Sequence, residues 1–251
     1  MIDILAKLTA VLLLALIADA LFRRSPAALL HRLWTGAIIC ALILPFVHLP
    51  QRAEANTIYV LAAAPLEAAP ISQAPASIPL ATLPGILFAC WTAGAVLVAL
   101  RAAFGLFQIW RITRAASPLP TPTAPVPIVL SSAIPVPMTW GVRRPVILLP
   151  TGASEWPDSR LRSAIAHEVA HIERRDWLVQ MFALAVCSVY WFHPLAWLAA
   201  RRLSSHAEHA CDDRVLLSGT TPADYAADLV EIARDARTSS AAALAMSAHD
   251  L

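Results

Sequence analysis

Lysine is almost absent from this chain. Lys7 is the single lysine among 251 residues, so the basic charge is carried by arginine. That scarcity excludes any chemistry built on an internal lysine, including a phosphate-binding Walker A loop and a Ser-x-x-Lys penicillin-binding site. Charge of either sign is also scarce: 14% of residues are charged, against about 25% in soluble domains. The net charge of +2 is too small to indicate a direct nucleic-acid partner. The four cysteines, Cys40, Cys90, Cys187 and Cys211, form no C-x-x-C pair. Three of them lie in apolar stretches, where cysteine behaves as a small hydrophobe rather than half of a disulfide. What the chain has in abundance is apolar sequence, 58% of its residues. A membrane protein in contact with a lipid bilayer is the natural reading.

Three apolar runs, at about residues 4–22, 33–50 and 83–100, each reach the length needed to cross about 30 Å of hydrocarbon as a helix. A cleaved signal peptide is the rival reading of the first run, because Ala18-Asp19-Ala20 resembles a cleavage site. Asp3 in its leading segment, and Arg23 and Arg24 just beyond the cut, favour an uncleaved span instead. The arginines set the orientation. Arg23, Arg24 and Arg32 follow the first run, Arg101, Arg111 and Arg114 follow the third, and Arg52 alone lies between the second and third. The positive-inside rule then puts the N-terminus and a Pro/Ala-rich loop, 51–82, outside, and everything after about residue 101 in the cytoplasm. The expected organisation is a transmembrane region 1–112, a Pro-rich linker 113–127, and a domain over 128–251.

Within that domain, 127–130 and 145–150 are aliphatic runs fenced by prolines, which suits edge strands, with Gly141 marking a turn between them. Pro157 suits the first position of a helix reaching about Arg174, whose Leu161, Ile165, Val169 and Ile172 recur at helical spacing. Asp176 is then placed to cap the next helix.

The helix after Pro157 carries His167-Glu168-Val169-Ala170-His171, an H-E-x-x-H motif. Residues i and i+4 share a helical face, so both imidazoles can meet one metal ion, and Glu168 can take a proton from bound water. A third ligand must come from elsewhere. Residues 177–200 contain no carboxylate, lysine or arginine and read most simply as a fourth span, which would carry later residues to the opposite side. Pro194 offers the alternative, since proline interrupts a helix and pushes His193 out of the α region. A turn there makes a hairpin over about 177–203 with nearly matched arms, returning Glu208 to the level of the histidines. Glu208 can then complete a three-ligand zinc site, and Asp212, on the same helical face, can accept a hydrogen bond from the outer nitrogen of a ligating histidine. The competing reading leaves Glu208 and Asp212 on a solvated face beside Arg201, Arg202 and Arg214. His206 and His209 flank Glu208 as alternative ligands or oxyanion donors, although solvent-facing histidines are commoner.

In these features the chain resembles the BlaR/MecR-type integral-membrane zinc metallopeptidases, which are gluzincins. The resemblance rests on Trp140-Gly141, Arg144 to Pro150, Ala166 to His171, Arg174-Arg175-Asp176, Tyr190 to Trp197, and Glu208-x-x-Cys211-Asp212. It implies zinc held by His167, His171 and Glu208, with Glu168 as the base. It implies a mainly α membrane protein: three N-terminal transmembrane helices plus a cytoplasmic-facing, zincin-like α+β protease domain with a short β-sheet and a membrane-associated hairpin. The implied substrate is a cytoplasmic regulator such as a winged-helix repressor, with self-cleavage on the way. The best-known members continue into a penicillin-binding sensor, which this sequence is expected to lack. A multi-pass protein of the plasma (inner) membrane follows, and the sequence leaves homo-oligomerisation open. The rival from another class is a non-proteolytic membrane transducer or scaffold with a structural zinc site. An intact glutamate in the motif argues against it, because a structural site needs no base.

Overall fold

Apolar sequence without internal punctuation folds as helix because every backbone polar group is then satisfied within the segment. The computed structural model describes residues 2–47, 83–120 and 124–247. The loop expected over 51–82 lies outside the described residues. Among the described residues, three helices are long and apolar enough to cross a membrane: α1 (Ile2–Leu21), α2 (Ala27–Ile43, prolonged by a 3-10 turn Leu44–Phe46) and α3 (Leu83–Ala115).

Two of these differ in extent from the hydropathy pattern. The second begins at Ala27 rather than near 33, because Pro26 holds an extended N-cap conformation and the residues after it are helix-compatible whatever their polarity. The third continues to Ala115 rather than stopping near 100, since no proline interrupts 101–115. At 1.5 Å per residue its 33 residues extend about 50 Å, well beyond a hydrocarbon core. The segment read as a linker, 113–127, is described at 113–120 and 124–127. It supplies the end of α3 and the short strand β1 (Ser117–Pro118), while Thr113 Oγ1 accepts a hydrogen bond from Trp140 Nε1 at 2.9 Å.

Helices α5 (Asp176–Val189) and α6 (Pro194–Leu217) form an antiparallel hairpin. Pro194 takes the first helical position of α6, after an extended His193. Gln180 Nε2 donates to Ser204 Oγ at 2.8 Å, and Cys187 Sγ donates to the Ala196 carbonyl at 3.6 Å, fixing the pairing of the arms. The tip sits among the three apolar helices. Thr9 Oγ1 lies 3.0 Å from His193 Nε2, Tyr190 Oη donates to the Ala41 carbonyl at 3.4 Å, and Trp91 Nε1 donates to the Val189 carbonyl at 2.9 Å. Leu8, Leu12, Trp34, Ile38, Val186, Ala199 and Leu203 join α1, α2, α5 and α6 into one core. Its alanines allow close helix approach.

The remaining residues build a small α+β layer. A four-stranded sheet has the order β1-β2-β4-β3, with β2 (Ile128–Ser131), β3 (Met138–Trp140) and β4 (Val146–Pro150). β2 and β4 pair in parallel, and the outer pairs are antiparallel. The two proline-fenced runs are therefore the central strands, not edges. Their prolines sit at or beyond the strand ends, and the edges are the short β1 and β3, whose two and three residues are too few to carry an alternating pattern. Gly141, at φ +98°, turns the chain from β3 to β4, where a Cβ would lie 2.9 Å from the Arg144 carbonyl oxygen. Ile128, Ile147, Leu149 and Trp156 pack this sheet against α4 (Asp158–Arg174). Helix α7 (Pro222–Ser247) follows α6.

The contact between α3 and the hairpin is tight at one point. A Cβ on Gly94 would lie 2.1 Å from the Trp191 indole, whereas one on Gly85 would meet open space. Gly94→Leu is expected to destabilise the detergent-solubilised protein by about 1–3 kcal/mol through overpacking. Gly85→Leu is expected to leave its thermal midpoint unchanged in the same melting experiment.

Candidate metal centre

Helix α4 presents His167 and His171 one turn apart, with ring centroids 5.0 Å apart. Their Nε2 atoms face each other at 3.2 Å. Two nitrogen lone pairs at that distance repel unless a proton or metal cation lies between them. The hairpin brings Glu208 of α6 to the same point: Oε2 lies 3.4 Å from His167 Nε2 and Oε1 lies 3.6 Å from His171 Nε2.

The outer nitrogens are committed elsewhere, which fixes the ring orientations. His171 Nδ1 lies 2.8 Å from Asp176 Oδ2. His167 Nδ1 lies 3.0 Å from Tyr225 Oη and 3.2 Å from Asp212 Oδ1. Tyr225 in turn donates to Asp212 at 2.7 Å, so its oxygen accepts from His167. Protons on both Nδ1 atoms leave both Nε2 atoms as inward-facing acceptors, the tautomer that a metal requires.

Asp212 thus stands beside a histidine's outer nitrogen. Asp176 does the same for the other histidine, a function its sequence position did not reveal. Arg175, not Asp176, is the N-cap of α5, and no side chain caps that helix. Arg175 adopts the left-handed conformation (φ 58°, ψ 36°), ending α4 and starting α5 in one residue. That corner folds Asp176 back under His171, at a backbone cost of about 1–2 kcal/mol for a non-glycine residue. Tyr225 of α7 carries no sequence signal for its contact with His167, because it reaches that ring from a separate helix. His206 turns away from the cluster to Asp19, and His209 packs against the His206 ring at 6.5 Å. Two of the three arginines read beside Glu208 are engaged elsewhere: Arg214 pairs with Glu173 at 3.1 Å and Arg202 with Asp19 at 3.5 Å.

The electrostatics suit a cation. Burial disfavours a charged His167, but the Glu208 carboxylate facing its ring and the nearby Glu168 and Asp212 outweigh that and raise its pKa. Glu208 is lowered, first by its bond to His167 and against its own partial burial. Glu168 is 5% exposed, and desolvation pushes its carboxyl up to about 7, partly offset by the two histidines. It lines a cleft of about 540 Å³ whose walls include His167, His171, Glu208, Tyr225 and the β3 residues Met138 and Thr139.

Two donor sets share the histidines. His167, His171 and Cys211 have ligand atoms within 4.8 Å of one another. Cys211 is fully buried, however; its Sγ faces Asp176 Oδ2 at 3.9 Å and Arg174 NH1 at 3.7 Å, and burial pushes the thiol far up. Glu208 offers an ionised carboxylate facing both free nitrogens, so the two-nitrogen, one-oxygen set is the better fit to a divalent ion.

Fold and site together define a helical-bundle protein with a peptidase-type H-E-x-x-H cleft. The family description "BlaR1 peptidase M56" matches residues 2–251, and the chain belongs to that family. The regulatory protein BlaR1 of Bacillus licheniformis is 36% identical over 86 residues, which are 34% of this chain and 14% of that protein. The match therefore spans a small part of that relative's length.

Glu208→Gln is expected to weaken divalent-metal binding by at least the roughly 100-fold that loss of an outer-shell partner can reach. Cys211→Ser should change it by less than about threefold, because the hydroxyl keeps the contacts to Asp176 and Arg174. Competition with a chromogenic chelator measures both, and the reverse order would assign the third donor to sulfur.

Proposed function

We propose that this chain is a membrane-embedded zinc endopeptidase that relays a signal by cutting a cytoplasmic regulatory protein, such as a winged-helix transcriptional repressor. The observation that carries the reading is the convergence of His167, His171 and Glu208 at a cleft that also holds a desolvated glutamate. These residues would hold zinc, which when bound lowers the pKa of water and polarises a scissile carbonyl. Asp176, Asp212 and Tyr225 keep the two imidazoles oriented toward it. Glu168 removes the proton of the attacking water and returns it to the departing amine, work for which a desolvated carboxylate lining the cleft is suited. An extended peptide could add to the outer side of β3, an edge strand whose Met138 and Thr139 line the cleft wall.

The membrane reading is supported by the three apolar helices and by arginine placement. The α1–α2 turn and the metal centre lie at the same end of the bundle, since Asp19 contacts His206 and His31 contacts Asp176. The arginine-rich turn and the cleft therefore share a side, the cytoplasmic one under the positive-inside rule. A multi-pass inner-membrane protease facing the cytoplasm accounts for these features together.

Glu168→Gln is expected to reduce proteolysis by about 10²–10⁴-fold while the protein retains stoichiometric zinc. Mapping new protein N-termini in cells that carry the intact or the Gln form, with zinc measured on the purified proteins, tests both halves. Cleavage that persists in the Gln form removes Glu168 as the base. A protein that purifies without zinc and gains no activity from it removes the metal.

A further inference from the structure

Among the described residues, the buried polar or charged side chains are Asp19, His31, Ser163, Glu168 and Asp176. Two of them, Asp19 and His31, belong to the apolar helices α1 and α2, where a polar group without a partner is costly. Each is aimed at the metal centre, and at a different half of it. His31 Nε2 stands 3.5 Å from Asp176 Oδ1, while the other oxygen of that carboxylate lies 2.8 Å from His171 Nδ1. Asp19 Oδ1 lies 2.8 Å from Nε2 of His206, two residues before Glu208 on α6, and Arg202 of α6 approaches its second oxygen at 3.5 Å.

We propose that His31 and Asp19 are positioning residues of the metal centre, through which the placement of the α1–α2 pair sets how closely the α4 and α6 ligands meet. This rests on the metallopeptidase reading above. The two links complement one another. His31 reaches the carboxylate that orients His171, so α2 governs the α4 half. Asp19 grips the turn of α6 that carries Glu208, so α1 governs the other half. α1 and α2 pack in one core with α5 and α6, Leu8 and Leu12 lying buried alongside Trp34, Ile38, Val186 and Leu203, so a displacement of the pair is carried into the hairpin.

The His31 link is also incompletely closed. Asp176 Oδ1 is buried without a hydrogen-bond partner, and 3.5 Å is longer than a good N–H···O bond. Arg174 NH2 lies 2.9 Å from Oδ2, yet makes no directed hydrogen bond there. A small approach of α2 toward α5 closes the gap, and a small withdrawal strands the carboxylate. The position of an apolar helix is thereby read by the group that holds a ligand in place, which is the physical requirement for a signal in the membrane to reach the cleft.

Cobalt(II) substituted into the full chain in detergent reports ligand geometry in its visible absorption, independently of proteolysis. His31→Leu is expected to weaken Co²⁺ binding about tenfold and to shift the visible band, and His31→Gln, which restores an N–H donor, to bring both back toward the parent. Asp19→Asn preserves volume and is expected to perturb the same band from the α6 side, which keeps the test decisive if the Leu form does not fold. Groups that merely hold the bundle together would lower the thermal midpoint and leave band and affinity unchanged. That outcome in both His31→Leu and Asp19→Asn overturns the proposal. Failure of the metallopeptidase reading looks different: Glu208→Gln would then bind Co²⁺ as the parent does, or the parent would bind none.

Discussion

A single proline governs the arrangement of the reactive groups. Two imidazoles on one helical face can share an ion, but they cannot complete its coordination, and Glu208, the candidate third donor, lies beyond a long apolar segment. Continued straight, that segment would carry Glu208 far from the histidines. Pro194 prevents this by removing one backbone donor and clashing with a continuing helix, while its fixed φ suits the first turn of a new one. At the reversal the extended His193 sets Nε2 3.0 Å from Thr9 Oγ1 among the apolar helices, while its Nδ1 is buried without a hydrogen-bond partner. The hairpin arms then return α6 alongside α4, and Glu208 reaches both Nε2 atoms.

The second constraint is orientation rather than proximity. An imidazole near a metal site is useful only in one tautomer and one rotation. The chain secures both rings with carboxylates that arrive by unrelated routes, Asp176 through a left-handed corner after α4 and Asp212 through the periodicity of α6. Arg175 bears the conformational cost at the corner. A glycine there would relax more easily, but would also free the chain to move Asp176 away from His171. Arg174 donates to the Ala207 carbonyl at 3.1 Å, tying that corner to α6 one residue before Glu208.

How much of this could be read from the residues follows from the range of the interactions. The imidazole pair was legible because i,i+4 spacing is a local rule of helix geometry, and Glu208 because equal arm lengths follow from a constant rise per residue. Asp212 shares a face with Glu208 for the same reason. The contribution of Asp176 was not legible. An aspartate after a helix reads as a cap, and only the left-handed Arg175 turns it back toward His171. Tyr225 reaches His167 across a helix–helix junction that no periodicity encodes. The strand order was hidden because β1 and β3 are too short to show alternation, so the proline-fenced runs looked like edges. His206 looked like a spare ligand until α1 supplied Asp19.

These long-range contacts explain why so apolar a chain buries charge at all. A buried carboxylate in a helix bundle is expensive unless it is paired, and pairing in a low-dielectric interior is correspondingly strong and directional. Leucines in place of Asp19 and His31 would satisfy α1 and α2 as membrane helices at least as well. Their polarity is intelligible only with reference to the α5–α6 hairpin, whose tip is lodged among the apolar helices by Thr9 of α1, Ala41 of α2 and Trp91 of α3. The hairpin is therefore held at both ends by the apolar bundle, through packing and backbone bonds at its tip and through charge at its base. A lever fixed in this way transmits displacement rather than absorbing it, because close-packed interiors respond by shifting between discrete arrangements instead of deforming continuously. The proposed ligands His167, His171 and Glu208 sit at the base of that lever, where displacement of the bundle would become a change in donor geometry.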